Sequence, residues 1–251
     1  MQTKTRLIAL LLGLVLVFCL SACQKAPAET TDAPAETADF GIFPEIAGEN
    51  GTTYANLFDV ILSADYDGVW TEKCAAIVDG AAEDASYLKS YISRDIYGQE
   101  AVDAYTSPEL VGFDCWYING AKTFTFSGDT ATITLTDGSS QTHTYTYLGQ
   151  YKVGDGETMV YNGQEIDPSF ACDVYQSTDD AGEFTYLLFR DDTMASTYHI
   201  EFRYGSDLDA LQKYFPGPYA YWLSAGIDAS ADAQTIDNVI DLFVTENLSG
   251  E

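Results

Sequence analysis

The sequence predicts an α+β domain: an antiparallel β-barrel with a helical layer against it. Three observations carry that prediction. Apolar residues recur with a helical period up to about Ile96, alternate with polar residues from Lys122 onward, and return to a helical period after Asp207. The alternating runs are joined by short Gly-containing turns, the pattern of a β-meander. Strand and helix patterns nowhere alternate as parallel βαβ units require, so the two kinds of element are segregated.

The chain opens on a segment that reads as a targeting signal. Lys4 and Arg6 precede an apolar run over residues 7–20, too short and wrongly flanked for a stable membrane span. The run ends in Leu20-Ser21-Ala22-Cys23, which resembles the lipobox of bacterial lipoproteins; small residues admit a peptidase, and the Cys23 thiol takes up diacylglycerol. Residues 1–22 are therefore expected to be a lipoprotein signal peptide. Cys23 is the expected lipidation site, anchoring the mature chain on the extracytoplasmic face of the cell membrane. Residues 23–50 are expected to form a disordered linker, because the near-repeat Ala26-Pro27-Ala28-Glu29-Thr30 and Ala33-Pro34-Ala35-Glu36-Thr37 has no large apolar residue to bury. Residues 51–251 are the expected folded domain.

Within it, Tyr54, Leu57, Phe58, Ile61 and Leu62 fall on one helical face, and further helical stripes cover residues 70–78 and 85–96. Alternating runs follow at 122–126, 130–136 and 142–147, separated by Ser127-Gly128-Asp129 and Asp137-Gly138. More strands are expected near 158–161, 184–190 and 196–204. Six or so consecutive antiparallel strands imply a small closed or nearly closed barrel. Asp207 is placed to cap a short helix containing Leu208 and Leu211, stopped by Pro216-Gly217-Pro218, and Ile236, Val239, Ile240 and Phe243 mark a last amphipathic helix.

Composition narrows the function. With 39 acidic against 11 basic residues the net charge is −28, which excludes nucleic acid as a partner and docking on anionic lipid by charge. Loss of residues 1–22 leaves nine basic against 39 acidic residues, a net charge of −30. Two histidines exclude a histidine-rich metal buffer. Cys74, Cys115 and Cys172 show no C-x-x-C spacing and read as buried, reduced side chains. The segment 173–180 reads as an acidic solvated loop. No Gly-x-Ser-x-Gly, His-Glu-x-x-His or P-loop occurs, so the chain is expected to be a binding protein and not an enzyme.

The side chain with most chemistry is His199, in the apparent strand Ser196-Thr197-Tyr198-His199-Ile200-Glu201-Phe202. Strand residues two apart share a face, so Thr197, His199 and Glu201 are expected to point together. Imidazole and carboxylate at that spacing either present nitrogen and oxygen to a divalent cation or form a salt-bridged pair on a solvent face. His143, on another strand, is either a further imidazole for the site or a surface histidine.

Phe189-Arg190-Asp191-Asp192, leading into Ser196-Thr197-Tyr198-His199-Ile200 and Tyr204-Gly205-Ser206-Asp207, resembles the end of the ZinT (YodA) family. Asp65-Tyr66-Asp67-Gly68-Val69-Trp70, Tyr87-Leu88-Lys89-Ser90-Tyr91, Phe184-Thr185-Tyr186-Leu187-Leu188-Phe189 and Phe215-Pro216-Gly217-Pro218-Tyr219 extend the collinear resemblance over about 57–224. The resemblance implies a calycin-like barrel with helices at one side, and an extracytoplasmic protein binding zinc or cadmium. The family binds metal through three histidines; His199 matches the second of its His-x-His pair, the first falls on Thr197, and the separate histidine falls near Asp192. The resemblance thus implies a metal site of Asp192 and His199. Glu201, outside the family pattern, would complete a mixed N/O set that favours harder cations and holds zinc more weakly than three histidines. The expected ligand is zinc or a similar divalent cation, and the expected partner a metal ABC transporter or its binding protein. The alternative is a calycin-like module with a degenerate metal site, taking a small organic ligand or another envelope protein.

Overall fold

The structure, a computed structural model, describes residues 40–78, 81–92, 96–104, 114–161 and 163–248. The expected signal peptide, Cys23 and the linker up to residue 39 lie outside the described residues. In chain order the elements are α1 (Phe43–Ala47), β1 (Thr52–Asn56), α2 (Leu57–Ile61), α3 (Asp67–Ile77), α4 (Ala81–Ile92), α5 (Gly98–Ala104), β2 (Ala121–Ser127), β3 (Thr130–Leu135) and β4 (Ser140–Val153). They continue with β5 (Met159–Tyr161), β6 (Gln164–Ile166), β7 (Phe170–Ser177), β8 (Tyr186–Phe189), β9 (Ile200–Gly205), α6 (Leu208–Leu211), β10 (Ser224–Asp228) and α7 (Ala233–Leu248).

Eight of these strands close an antiparallel barrel in the order β1-β10-β9-β8-β7-β4-β3-β2, with β5 and β6 paired outside it. The α+β, calycin-like architecture is therefore as the sequence predicts. Phe124, Phe126, Ile133, Phe189, Phe202 and Tyr204 point inward and are almost wholly buried. Phe124 and Phe202 meet edge to face at 5.0 Å, and Phe126 and Phe189 at 5.3 Å. Each such side chain stabilises the fold by about 1.5–3 kcal/mol through burial. Their rings fill the interior, so the barrel is a packed core.

A second apolar cluster lies outside the barrel, where Ala225 and Ile227 of β10 meet Leu57, Phe58 and Ile61 of α2, Trp70 and Cys74 of α3, and Ile236, Val239, Ile240, Val244 and Leu248 of α7. The last set recurs at helical spacing along one face, which is why α7 lies against the sheet. Its start is fixed by Asp232, whose Oδ1 accepts from Thr235 N at 2.8 Å. Asp207 caps α6 in the same way, accepting from Ala210 N at 3.1 Å. Among the described residues no helix is long and apolar enough to cross a membrane.

Several expectations change. The first helical stripe splits in two: Thr52–Asn56 is the strand that closes the barrel, and the helix begins only at Leu57. Asn56 makes the break, its Oδ1 accepting from Phe58 N at 2.9 Å and Asp59 N at 3.3 Å. Tyr54 faces the barrel core and Leu57 the helical cluster, so two different interiors mimic one helical face. The domain also begins before residue 51. Within the stretch expected to be linker, Phe43, Ile46 and Ala47 are buried in the barrel's core cluster, with Phe43 5.0 Å from Tyr175 and 5.4 Å from Phe126. The acidic loop expected at 173–180 is strand as far as Ser177, and Asp173 is buried where it accepts from Ile42 N at 2.7 Å and Tyr147 Oη at 3.0 Å. Cys74, Cys115 and Cys172 are free thiols, and burial pushes Cys74 up to about 11 and Cys172 up to about 12.

Candidate metal centre

The strand expected over 196–204 begins only at Ile200. Before it, Thr193 and Ser196 close a turn through Thr193 N to Ser196 Oγ at 2.9 Å and Ser196 N to Thr193 O at 3.1 Å. Tyr198 is left-handed, at φ 64°, and leaves the barrel to pack on the helical cluster. Strand alternation therefore does not extend back to Thr197, which offers its backbone instead: His199 Nδ1 lies 2.7 Å from Thr197 O. A carbonyl only accepts, so Nδ1 carries the proton and Nε2 is left facing the cluster.

Ile200, Phe202 and Tyr204 alternate into the barrel, which puts Glu201 on the outer face, paired in register with Ala225 of β10. Glu201 Oε1 is 3.6 Å from His199 Nε2, an ion contact longer than a hydrogen bond, and Oε2 accepts from Arg190 Nη1 at 2.7 Å. Arg190 follows β8 directly, with its N donating to Glu201 O at 3.0 Å, and its Nε lies 3.4 Å from Asp192 Oδ2. The structure thus brings Asp192, His199 and Glu201 together, around a guanidinium.

The electrostatics report crowded negative charge. Burial and the Glu201 charge push Asp192 up to about 6, against the opposing pull of Arg190 and His199. Burial would raise Glu201 too, but Arg190 and His199 hold it down at about 2. For His199 burial works downward, and it is outweighed by Glu201, Asp192 and the Thr197 carbonyl, so the imidazole sits above its ordinary value. Glu246 of α7 belongs to the same field: burial, with the charges of Glu201 and Asp192, pushes it up to about 7 while His199 and Arg190 pull it back. Sequence reasoning missed Glu246. The available signal was its position, seven residues after Val239 and so on the apolar face of the last helix.

His143 does not join. Its Nδ1 is 2.9 Å from Asp179 Oδ1 and its Nε2 3.1 Å from Gln141 Oε1, on β4, which is not a neighbour of β9. The donor types fit a divalent cation: one buried imidazole with its far nitrogen fixed by a carbonyl, and half-buried carboxylates, including an Asp192 Oδ2 with no hydrogen-bond partner. Their positions are those of an ion-pair network. Among the described residues no group of three or more His, Cys, Asp or Glu is spaced to hold a metal ion.

Fold and site together define a calycin-like barrel protein with a half-buried carboxylate–imidazole–guanidinium cluster on the outer face of the barrel. No family model matches the chain, and no curated protein sequence does. Among solved structures, the chain is similar to the Zn(II)-bound ZinT-like domain of Streptococcus pneumoniae AdcA, with TM-score 0.47 and 15% identity over 78% of this chain and 89% of that one. It is also similar to Zn(II)-bound AdcA from the same organism, with TM-score 0.45 and 15% identity over 86% of this chain. The chain spans 41% of the length of that second structure.

Proposed function

We propose that this chain is a lipid-anchored, extracytoplasmic, non-enzymatic protein whose ZinT-like domain captures a divalent cation, zinc or a similar ion. It passes that ion to a metal ABC transporter or its binding protein. The supporting observation is the charge balance at the site: Asp192, Glu201 and Glu246 share one field with His199 and, among the described residues, are met by a single guanidinium, that of Arg190. Buried charge without a partner is costly, and a divalent cation supplies the missing positive charge. Binding takes the imidazole in its neutral form, so affinity falls with pH as His199 takes up its proton.

Calorimetric titration of the demetallated protein with zinc tests this. One site per chain is expected, weakened at least about tenfold in His199→Ala. If both proteins bind zinc equally weakly, the second reading stands: an interaction module with a degenerate metal site, contacting another envelope protein. The Arg190 ion pairs favour that reading. The filled barrel interior speaks against its other version, a small organic ligand held inside.

A further inference from the structure

We propose that Arg190 is a built-in counter-cation of this site, holding Glu201 and Asp192 in the metal-free protein and giving them up when a divalent cation binds. The inference rests on the metal-binding reading and adds to it what sets affinity and selects ionic charge.

The guanidinium and an incoming cation want the same oxygens. Arg190 Nη1 takes Glu201 Oε2 at 2.7 Å and Nε lies 3.4 Å from Asp192 Oδ2. Only Glu201 Oε1 is left toward His199 Nε2, at 3.6 Å. A planar, delocalised cation that hydrogen-bonds one carboxylate and lies in ion contact with a second suits guanidinium better than a point charge.

The Arg190 side chain can also leave while its backbone stays. Arg190 N is tied to Glu201 O at 3.0 Å, which continues the β8–β9 ladder and fixes the root of the side chain. The guanidinium already lies over the Phe170 ring, 5.0 Å from its centroid. Beside it is a cavity of about 110 Å³ bordered by Phe170, Asp173, Asp191 and Arg190 itself. A turn toward that cavity keeps the ring contact and brings the charge near other carboxylates.

Charge balance adds to this: a divalent cation that takes Asp192 and Glu201 from Arg190 matches their two negative charges, whereas a monovalent cation leaves one of them unpaired in a half-buried place. Displacement of the arginine therefore selects for doubly charged ions. Displacing it costs free energy, so the site binds more weakly than its donors alone would.

The test is zinc titration of the demetallated full chain by calorimetry, in wild type, Arg190→Gln, Arg190→Lys and His199→Ala, with thermal melts of each without metal. Arg190→Gln is expected to bind zinc about tenfold or more tightly than wild type, to melt lower without metal, and to recover on adding zinc. Arg190→Lys, which keeps the charge and loses the fork, is expected to fall between, and it decides the matter if the glutamine variant does not fold. Equal or weaker binding by the Arg190 variants, with wild-type binding still dependent on His199, overturns the counter-cation and leaves the metal site standing. No His199-dependent binding in wild type or in the Arg190 variants overturns the metal reading itself.

Discussion

At Glu246, burial and neighbouring carboxylates push the carboxyl up to about 7, which makes this residue a cost to the metal-free protein at neutral and alkaline pH. A carboxyl whose folded value exceeds its unfolded value of about 4.3 keeps its proton longer in the folded state. Its stabilising share is complete below about pH 4.3 and is lost as pH rises through about 7. Asp192, at about 6, acts in the same direction. Glu201, at about 2, acts oppositely, contributing above about pH 4.3 and losing its share as pH falls toward 2. Glu246→Gln should therefore stabilise the metal-free protein at pH 8 by roughly 1–3 kcal/mol and change little at pH 4.5, read from melts across that range. Equal effects at both pH values would remove Glu246 from the cluster. His199 and Glu201 were legible because they share a short strand-spaced pattern, and Asp192 because the resemblance to the ZinT (YodA) family puts a metal-binding histidine near it. Arg190 stood inside the same motif, but a cation does not announce itself as part of a cation site. Glu246 comes from α7, and only packing brings it there.

The elements divide in the same way. The meander of β2, β3 and β4 was readable because each strand alternates between a buried and a solvated face, with turns of little sequence separation. The pairing of β1 with β10 was not, since no local pattern announces a partner more than 150 residues away. The buried start of the domain was missed because the short run around Phe43 lies next to a polar, proline-rich stretch. Inside the barrel end that run is tied down by Phe43 N donating to Tyr175 Oη at 3.0 Å and by Tyr54 Oη donating to Ile46 O at 2.8 Å. Phe43→Ala should cost about 3–5 kcal/mol in denaturant unfolding, the cost of emptying an aromatic core position. Leu148→Ala, at a side chain 37% exposed, should stay within about 0.5 kcal/mol. Similar costs for the two would mean that α1 is not part of the folded core.

For the molecule as a whole, a net charge of −28 works against compaction through self-repulsion. Raising ionic strength from about 0.01 M to about 0.15 M shortens the screening length from about 30 Å to about 8 Å, so the melting temperature should rise across that interval. A flat or falling response would show that local ion pairs such as Lys73 with Asp237, 2.6 Å apart, outweigh the long-range repulsion. The sequence by itself determined the class of fold, the segregation of helices from strands, the acidic character and the pair His199 and Glu201 as a candidate site. Those properties are carried by local periodicity and composition, which each stretch of chain expresses alone. Only the tertiary structure decided the closure of the barrel by β1 and β10, the placing of Arg190 between two carboxylates and the arrival of Glu246. Each depends on contacts between segments far apart in sequence, and buried charge takes its meaning from whichever partners the fold sets beside it.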